Sequence, residues 1–174
     1  MNCENAVVAV IMGSKSDLNI VQGAFKVFEE FGIPYMVRVM SAHRTPEVAA
    51  EFARHAAANG VKVMICAAGM AAHLAGVMAA HTTIPVIGIP VASEPFNGLD
   101  ALLATVQMPP GIPVATVTAG KAGGKNAALL AVSMLSLAMP ELAGKLSEFR
   151  AKQTADVIAA DEELQKEIKG AFKI

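Results

Sequence analysis

The chain has 174 residues and a formal net charge of −1, which gives no electrostatic reason to expect a nucleic acid or an anionic membrane as its partner. Hydrophobic residues make up 54% of the sequence and charged residues only 17%, below the roughly 25% usual in globular proteins. This composition predicts one domain over residues 1–174 with extensive buried surface, either in a large core or, as we favour, between the subunits of a homo-oligomer.

The sequence also predicts a soluble, cytoplasmic protein. It contains no run of 18 apolar residues free of glycine and proline that would indicate a transmembrane helix, and its N-terminal segment lacks the basic region of a secretory signal. The two cysteines, Cys3 and Cys66, are too few for a disulfide framework or a zinc site. Cys66 lies in an apolar strand pattern and is expected to be a buried, inert thiol.

The first third of the chain alternates apolar runs with helical periodicity. Residues 7–12 form an uninterrupted apolar run, which predicts a strand covered on both faces. Apolar residues at helical spacing then predict a helix over residues 18–32 that ends in a glycine C-cap. A second strand is predicted over residues 35–40. A further helix is predicted over residues 46–60, with the Thr45 hydroxyl as its cap and proline at its first position.

The same alternation continues through the rest of the chain. Strands are predicted over residues 61–67, 85–91 and 113–118, and helices over residues 71–80, 99–106 and 126–139. The helix at 126–139 has almost no polar face, so we expect it to be buried all round. A charged helix over about residues 140–170 either packs on a neighbouring subunit or forms a solvated surface helix. Strands that alternate with helices in this way predict an α/β fold with a doubly wound parallel sheet.

Glycines and polar side chains follow every predicted strand. Ligands of open parallel sheets bind outside the carboxyl ends of the strands, so these segments predict a ligand site at one edge of the sheet. The segments are residues 13–17, 41–45, 68–76, 92–93, 97–98 and 120–126.

The segment after the first strand, "GSKSD", has features of a site for a phosphorylated or hydroxylated ligand. Gly13, Ser14 and Ser16 lie before a predicted helix N-terminus, where backbone amides favour anions. Asp17 is suited to accept hydrogen bonds from ribose hydroxyls. In the alternative interpretation, Ser16 or Asp17 only caps the helix. The segment matches neither the P-loop nor the dinucleotide-binding pattern.

The histidines differ in their expected roles. His43 follows the second strand and is suited to move a proton at neutral pH, while the adjacent Arg44 offers a planar fork of donors for phosphate or carboxylate. In the alternative interpretation, the two are a structural histidine in the capping region of the helix and a surface arginine. His73 lies between a strand and a helix, and either a ligand-facing or a structural role fits that position. His55 and His81 are predicted to be structural. Four separated histidines without further ligands at metal-binding spacing argue against a metal site.

Several segments together resemble one known family. They read "MGSKSD", "SAHRTP", "GMAAHLAGVMAAHTTIPVIGIPV", "NGLDALLATVQMPPGIPVATV" and "GKAGGKNAALLA". These segments resemble the PurE family, in the same order and nearly collinear from about residue 7 to residue 153. The resemblance implies a flavodoxin-like three-layer α/β fold, extended here by a C-terminal helix, and a homo-octamer with active sites at the subunit contacts.

The resemblance also implies a reaction and its residues. The family class with this pattern moves a carboxylate from N5 of a phosphoribosyl imidazole to C4, without a metal, ATP or biotin. His43 matches the general acid/base, Arg44 the phosphate contact, and Ser14 and Asp17 substrate-binding positions. His73 matches the loop that closes over the base and the CO2 pocket. The remaining residues expected at the substrate are Gly13, Ser16, Ser41, Ala72 and Leu74.

Two alternatives to this reaction are less consistent with the sequence. The second class of the family carboxylates aminoimidazole ribonucleotide (AIR) directly with CO2, and it typically reads "AHKT" and lacks the histidine of "AAHL", so Arg44 and His73 favour the first class. A non-enzymatic nucleotide-binding or phospho-receiver module is disfavoured, because the third strand ends in "CAAG" where receivers need an aspartate. The "AAHL" loop has Met70 and Ala75 where the family commonly has Gly and Pro, but it retains its central four residues.

Overall fold

The structure is a computed structural model that describes residues 5–168, so Cys3 lies outside the described residues. The strands are β1 (Val8–Met12), β2 (Tyr35–Val39), β3 (Val63–Gly69), β4 (Val86–Val91) and β5 (Ala115–Thr116). The helices are α1 (Leu18–Phe31), α2 (Pro46–Ala56), α3 (Leu74–Ala80), α4 (Leu99–Val106), α5 (Lys121–Leu135) and α6 (Pro140–Glu167). None of these helices is long and apolar enough to cross a membrane.

The five strands form one parallel sheet in the order β2-β1-β3-β4-β5. This order confirms the predicted doubly wound, flavodoxin-like α/β fold, in which the chain winds outward in both directions from β1 and β3. Met12 at the end of β1 pairs with Val39 of β2 and with Ala67 of β3. The carboxyl ends of the central strands therefore meet at one edge of the sheet.

Alternating side chains of the strands build one core on each face of the sheet. Val8, Val10 and Met12 of β1 pack in the cluster that contains α1 and α5, whereas Ala9 and Ile11 pack in the cluster that contains α2 and α3. The central strands β1, β3 and β4 are thus covered by helices on both faces, which explains their uninterrupted apolar runs. Cys66 is buried on the α2 side, and this burial raises the pKa of its thiol to about 12, as expected of an inert cysteine.

The C-terminus of α1 is fixed by local backbone geometry. Gly32 has φ 71° and is the predicted glycine C-cap. Its N–H donates to the Glu29 carbonyl at 3.3 Å, and the Ile33 N–H donates to the Phe28 carbonyl at 2.8 Å, which is the Schellman pattern. These two hydrogen bonds end α1 and turn the chain toward β2.

The prediction for the apolar helix near the C-terminus was partly wrong. The helix begins at Lys121 rather than residue 126, and it is buried on one side only. Ser133 is exposed on its other side, and Leu137, just beyond its end, is 90% exposed, because only one face packs against α1 and the sheet. The second half of α6, from residue 151 to residue 167, is exposed throughout.

Candidate active site

A cavity of about 760 Å³ opens at the carboxyl edge of the sheet. The loops after β1, β2, β3 and β4 form its walls, as the strand-end rule predicts. The segments after β5 and at residues 97–98 do not reach it. All but one of the predicted site residues line this cavity, namely Gly13, Ser14, Ser16, Asp17, Ser41, His43, Arg44, His73 and Leu74.

The loop after β1 presents hydroxyls and a carboxylate to the cavity. The Ser14 side chain accepts the Ser16 N–H at 3.3 Å and so caps the short 3-10 turn at Lys15–Asp17. Ser16 Oγ lies 2.9 Å from Ser14 Oγ and 3.2 Å from Asp17 Oδ1. Asp17 makes no side-chain capping bond to α1, so the capping interpretation of this residue was wrong. Its carboxylate is therefore available to a ligand.

Ser41 organises the loop after β2. Its Oγ accepts hydrogen bonds from the backbone N–H groups of His43 at 3.3 Å and of Arg44 at 3.1 Å. Thr45 closes the same loop, because its Oγ1 accepts the Ser41 N–H at 2.9 Å and lies 3.1 Å from the Ser41 carbonyl oxygen. The predicted capping bond from Thr45 to α2 is absent, since these contacts already engage its hydroxyl. The loop is thereby held rigidly by short-range hydrogen bonds.

Arg44 joins the loops after β1 and β2. Its Nη2 donates to the Gly13 carbonyl at 2.7 Å, and its Nε donates to Ser41 Oγ at 3.4 Å. These contacts leave further N–H donors of the guanidinium free. An exposed guanidinium that is held against Gly13, in the loop that leads to α1, forms a suitable site for a phosphate group.

His43 and His73 form a hydrogen-bonded pair across the cavity. His43 Nε2 lies 2.9 Å from His73 Nδ1, and the two rings meet nearly edge to face at 88°. At this distance one nitrogen donates and the other accepts, so the two facing nitrogens hold one proton between them. The structure thus places His73 in the cavity, in contact with His43. His55 and His81 lie outside the cavity on α2 and at the end of α3, as predicted.

The loop after β3 places an apolar side chain in the cavity wall. Met70 has φ 55°, a conformation that is unfavourable for a residue with a Cβ atom, and its side chain is 63% exposed. Ala72 is buried and is the predicted site residue that does not line the cavity. Leu74 is also buried but does contribute to the wall. Strained residues persist where the surroundings fix them, and such positions cluster at functional sites.

Sequence reasoning missed part of the cavity wall. Asn19 and Ile20 in the first turn of α1 lie outside the predicted strand-end segments and gave no signal, and Val91 belongs to β4 itself. The other lining residues that had not been singled out lie within those segments, and most are small and apolar, namely Ala42, Ala68, Gly69, Ala71, Ala92 and Ser93. Residues 5–168 contain no group of three or more His, Cys, Asp or Glu side chains placed to hold a metal ion.

The fold and the cavity together define a class of protein. It is a flavodoxin-like α/β protein whose strand-end pocket combines a proton-carrying histidine pair with an arginine suited to phosphate. A family model described as AIR carboxylase matches residues 7–156. The chain therefore belongs to the AIR carboxylase family, as its resemblance to PurE predicted.

Individual relatives support the assignment of the chain to this family. The chain is 57% identical over 143 residues to the N5-carboxyaminoimidazole ribonucleotide mutase of Pyrococcus abyssi, a match that covers 82% of this chain and 81% of the relative. It is 52% identical over 164 residues to the mutase of the same name from Mycobacterium tuberculosis, covering 94% and 92% of the two chains. The crystal structure of Treponema denticola PurE matches with a TM-score of 0.81 and 31% identity, covering 90% of this chain and 97% of that one.

Proposed function

We propose that the chain is an isomerase of purine biosynthesis that converts N5-carboxyaminoimidazole ribonucleotide (N5-CAIR) into 4-carboxyaminoimidazole ribonucleotide (CAIR). The observation that carries this proposal is the histidine pair, with 2.9 Å between ring nitrogens, in one cavity with Arg44. Relatives that are 46–57% identical and named as mutases for this conversion support it. Because the substrate is a phosphorylated nucleotide that does not cross membranes unaided, we place the protein in the cytoplasm.

A single acid/base group is sufficient for the two proton transfers of this isomerisation. Breaking the N5–carboxylate bond releases CO2 and requires one proton at nitrogen, giving AIR. Attack of C4 on the same CO2 forms the new carbon–carbon bond and releases one proton from C4. Proton delivery and removal balance, so His43 returns to its starting state after each turnover.

The other residues of the cavity position the reacting groups. His73 holds the His43 ring by its 2.9 Å contact and can exchange the shared proton with it. The small apolar residues of the wall, among them Ala68, Ala71 and Ala92, offer no hydrogen-bonding side chains to water. An apolar enclosure retains neutral CO2 by shape and limits its hydration before the second step.

Substrate assays on the purified protein test this proposal. We expect conversion of N5-CAIR into CAIR without added bicarbonate, ATP or metal. Direct carboxylation predicts the opposite result, namely CAIR formation from AIR and bicarbonate with no turnover of N5-CAIR. That result would assign the chain to the second class and overturn the proposal. Absence of turnover in both assays would favour a binding module.

Arg44→Ala tests the phosphate contact. We expect KM to rise about ten- to hundredfold with kcat within a few-fold of wild type, because charge-assisted hydrogen bonds to phosphate contribute roughly 1.5–3 kcal/mol to substrate binding. Steady-state kinetics provide the measurement. Arg54→Ala is the matched control, because Arg54 is exposed on α2 and paired with Glu51, outside the cavity. An unchanged KM for Arg44→Ala would remove Arg44 from the phosphate site.

We further propose that the chain assembles into a homo-octamer, as its resemblance to PurE implies. Its accessible surface is 10227 Å², whereas a compact monomer of this mass exposes about 8,000 Å². Val157, Leu164 and Ile168 recur on one face of α6 and its end, and all three are exposed, with Val157 at 70%. Exposed apolar stripes of this kind mark interaction surfaces, and a second copy of the chain is the occupant we infer.

Charge on this stripe is expected to weaken assembly. The double variant Val157→Glu, Leu164→Glu places two carboxylates on the proposed interface and should shift the protein toward smaller species. Size-exclusion chromatography with light scattering measures the mass, which we expect to be about eight times 18.0 kDa for wild type. Lys152→Glu, on a different face of α6, controls for the charge change. Retention of the wild-type mass by the double variant would exclude this stripe from the interface.

A further inference from the structure

An unpaired hydroxyl lies at the wall of the candidate active site. Within residues 5–168, three buried side-chain atoms lack a hydrogen-bond partner, namely Ser93 Oγ, Asp100 Oδ1 and Thr116 Oγ1. Of the three residues, Ser93 is the one that lines the cavity. Buried polar groups in native proteins are paired with protein, water or ligand, because an unpaired one is destabilising. The position of Ser93 therefore points to a ligand as its partner.

The sheet order places Ser93 at the end of the cavity opposite Arg44. Arg44 follows β2, whereas Ser93 follows β4, and β1 and β3 lie between these strands. The Arg44 guanidinium reaches back to the Gly13 carbonyl after β1, so two strand spacings, about 10 Å, separate it from the end of β4. The His43–His73 pair connects the loops after β2 and β3. A ligand whose phosphate lies at Arg44 therefore extends its other end past the histidines toward Ser93.

Ser93 is one of two polar side chains on its side of the cavity. Among the cavity-lining residues that follow or end β3 and β4, only His73 and Ser93 carry a polar side chain. His73 Nδ1 already contacts His43. The neighbouring Val91, Ala92 and Met70 present apolar side chains. One rotation about the Cα–Cβ bond reorients the Ser93 oxygen, so the hydroxyl can turn toward a bound ligand.

We propose that the Ser93 hydroxyl donates a hydrogen bond to the carboxylate that this enzyme transfers. This inference rests on the proposed function, since in a phosphoribosyl imidazole the phosphate and the carboxylated base lie at opposite ends. Ser93 is then a substrate-binding residue that distinguishes carboxylated nucleotides from AIR, which is the same nucleotide without the carboxyl group.

Titration calorimetry with CAIR and AIR tests this assignment. Ser93→Ala should raise the Kd for CAIR about ten- to hundredfold, the range expected for a hydrogen bond to a charged group, and leave the Kd for AIR unchanged. The melting temperature should not fall, because the unliganded protein loses no hydrogen bond. Ser93→Gly removes the same hydroxyl with a different change in volume and should give the same selective loss.

Thr116→Val is the matched control, because it removes an unpaired hydroxyl that lies outside the cavity, and it should leave both Kd values unchanged. Equal weakening of CAIR and AIR binding by Ser93→Ala, or no weakening of either, would overturn the carboxylate contact. Failure of wild type to bind either nucleotide would instead overturn the proposed function, and the Ser93 assignment with it.

Discussion

His43→Asn is expected to lower kcat by at least about a thousandfold while KM and the Kd for CAIR stay within roughly tenfold of wild type. Asparagine fills a similar volume and forms hydrogen bonds, but its side-chain amide neither gains nor loses a proton near neutral pH. Positioned acid/base groups contribute about 10²- to 10⁴-fold to a rate, and in the proposed mechanism one group serves both proton transfers. Steady-state kinetics with N5-CAIR and titration with CAIR separate the effect on turnover from the effect on binding.

Two further variants sharpen this test. His55→Asn makes the same substitution on the exposed face of α2, outside the cavity, and should leave kcat and KM unchanged. If His43 and His73 act as one unit, the double variant His43→Asn, His73→Asn should lose little beyond His43→Asn alone. Wild-type turnover by His43→Asn would show that another group moves the protons.

The strands could be predicted from sequence more accurately than the first turns of α5. Apolar runs bounded by Gly and Pro predict buried strands because both faces of this sheet are covered. Gly123 and Gly124 indicate a loop by propensity, yet both lie within α5. They fold as helix because they pack against the backbone of Thr118 and Ile20, a tertiary contact with no local signature. β5 has only two residues and pairs with β4 alone at the sheet edge.

The location of the site could be predicted, but its internal contacts could not. The carboxyl ends of parallel strands converge in any sheet of this kind, so His43 and Arg44 could be placed at its edge. The contact between His43 and His73 joins residues 30 positions apart in different loops, and its distance depends on the loop conformations. Ser41 was predicted at the substrate and lines the cavity, but the sequence did not indicate that its hydroxyl also accepts the loop's own N–H groups.

Gly124→Ala is expected to lower the free energy of unfolding by about 3 kcal/mol and the melting temperature by about 6–12 °C. Helices α1 and α5 approach so closely that a Cβ atom at Gly124 would overlap the Ile20 carbonyl oxygen, and Val21 Cα would lie 3.4 Å away. Neither group is a flexible side chain, so the backbone of one helix must move. Chemical and thermal denaturation measure the loss of stability.

The same substitution should also disturb the site, because Ile20 lines the cavity and the first turn of α1 follows the Ser14–Asp17 loop. We therefore expect KM to rise a few-fold at temperatures where the variant remains folded. Gly144→Ala is the matched control, since Gly144 lies in α6 with no atom within 4 Å of an added Cβ. It should raise stability by about 0.5–1 kcal/mol, because alanine is the better helix former. If Gly124→Ala has the same denaturation midpoint as wild type, α1 and α5 can move apart without loss of packing.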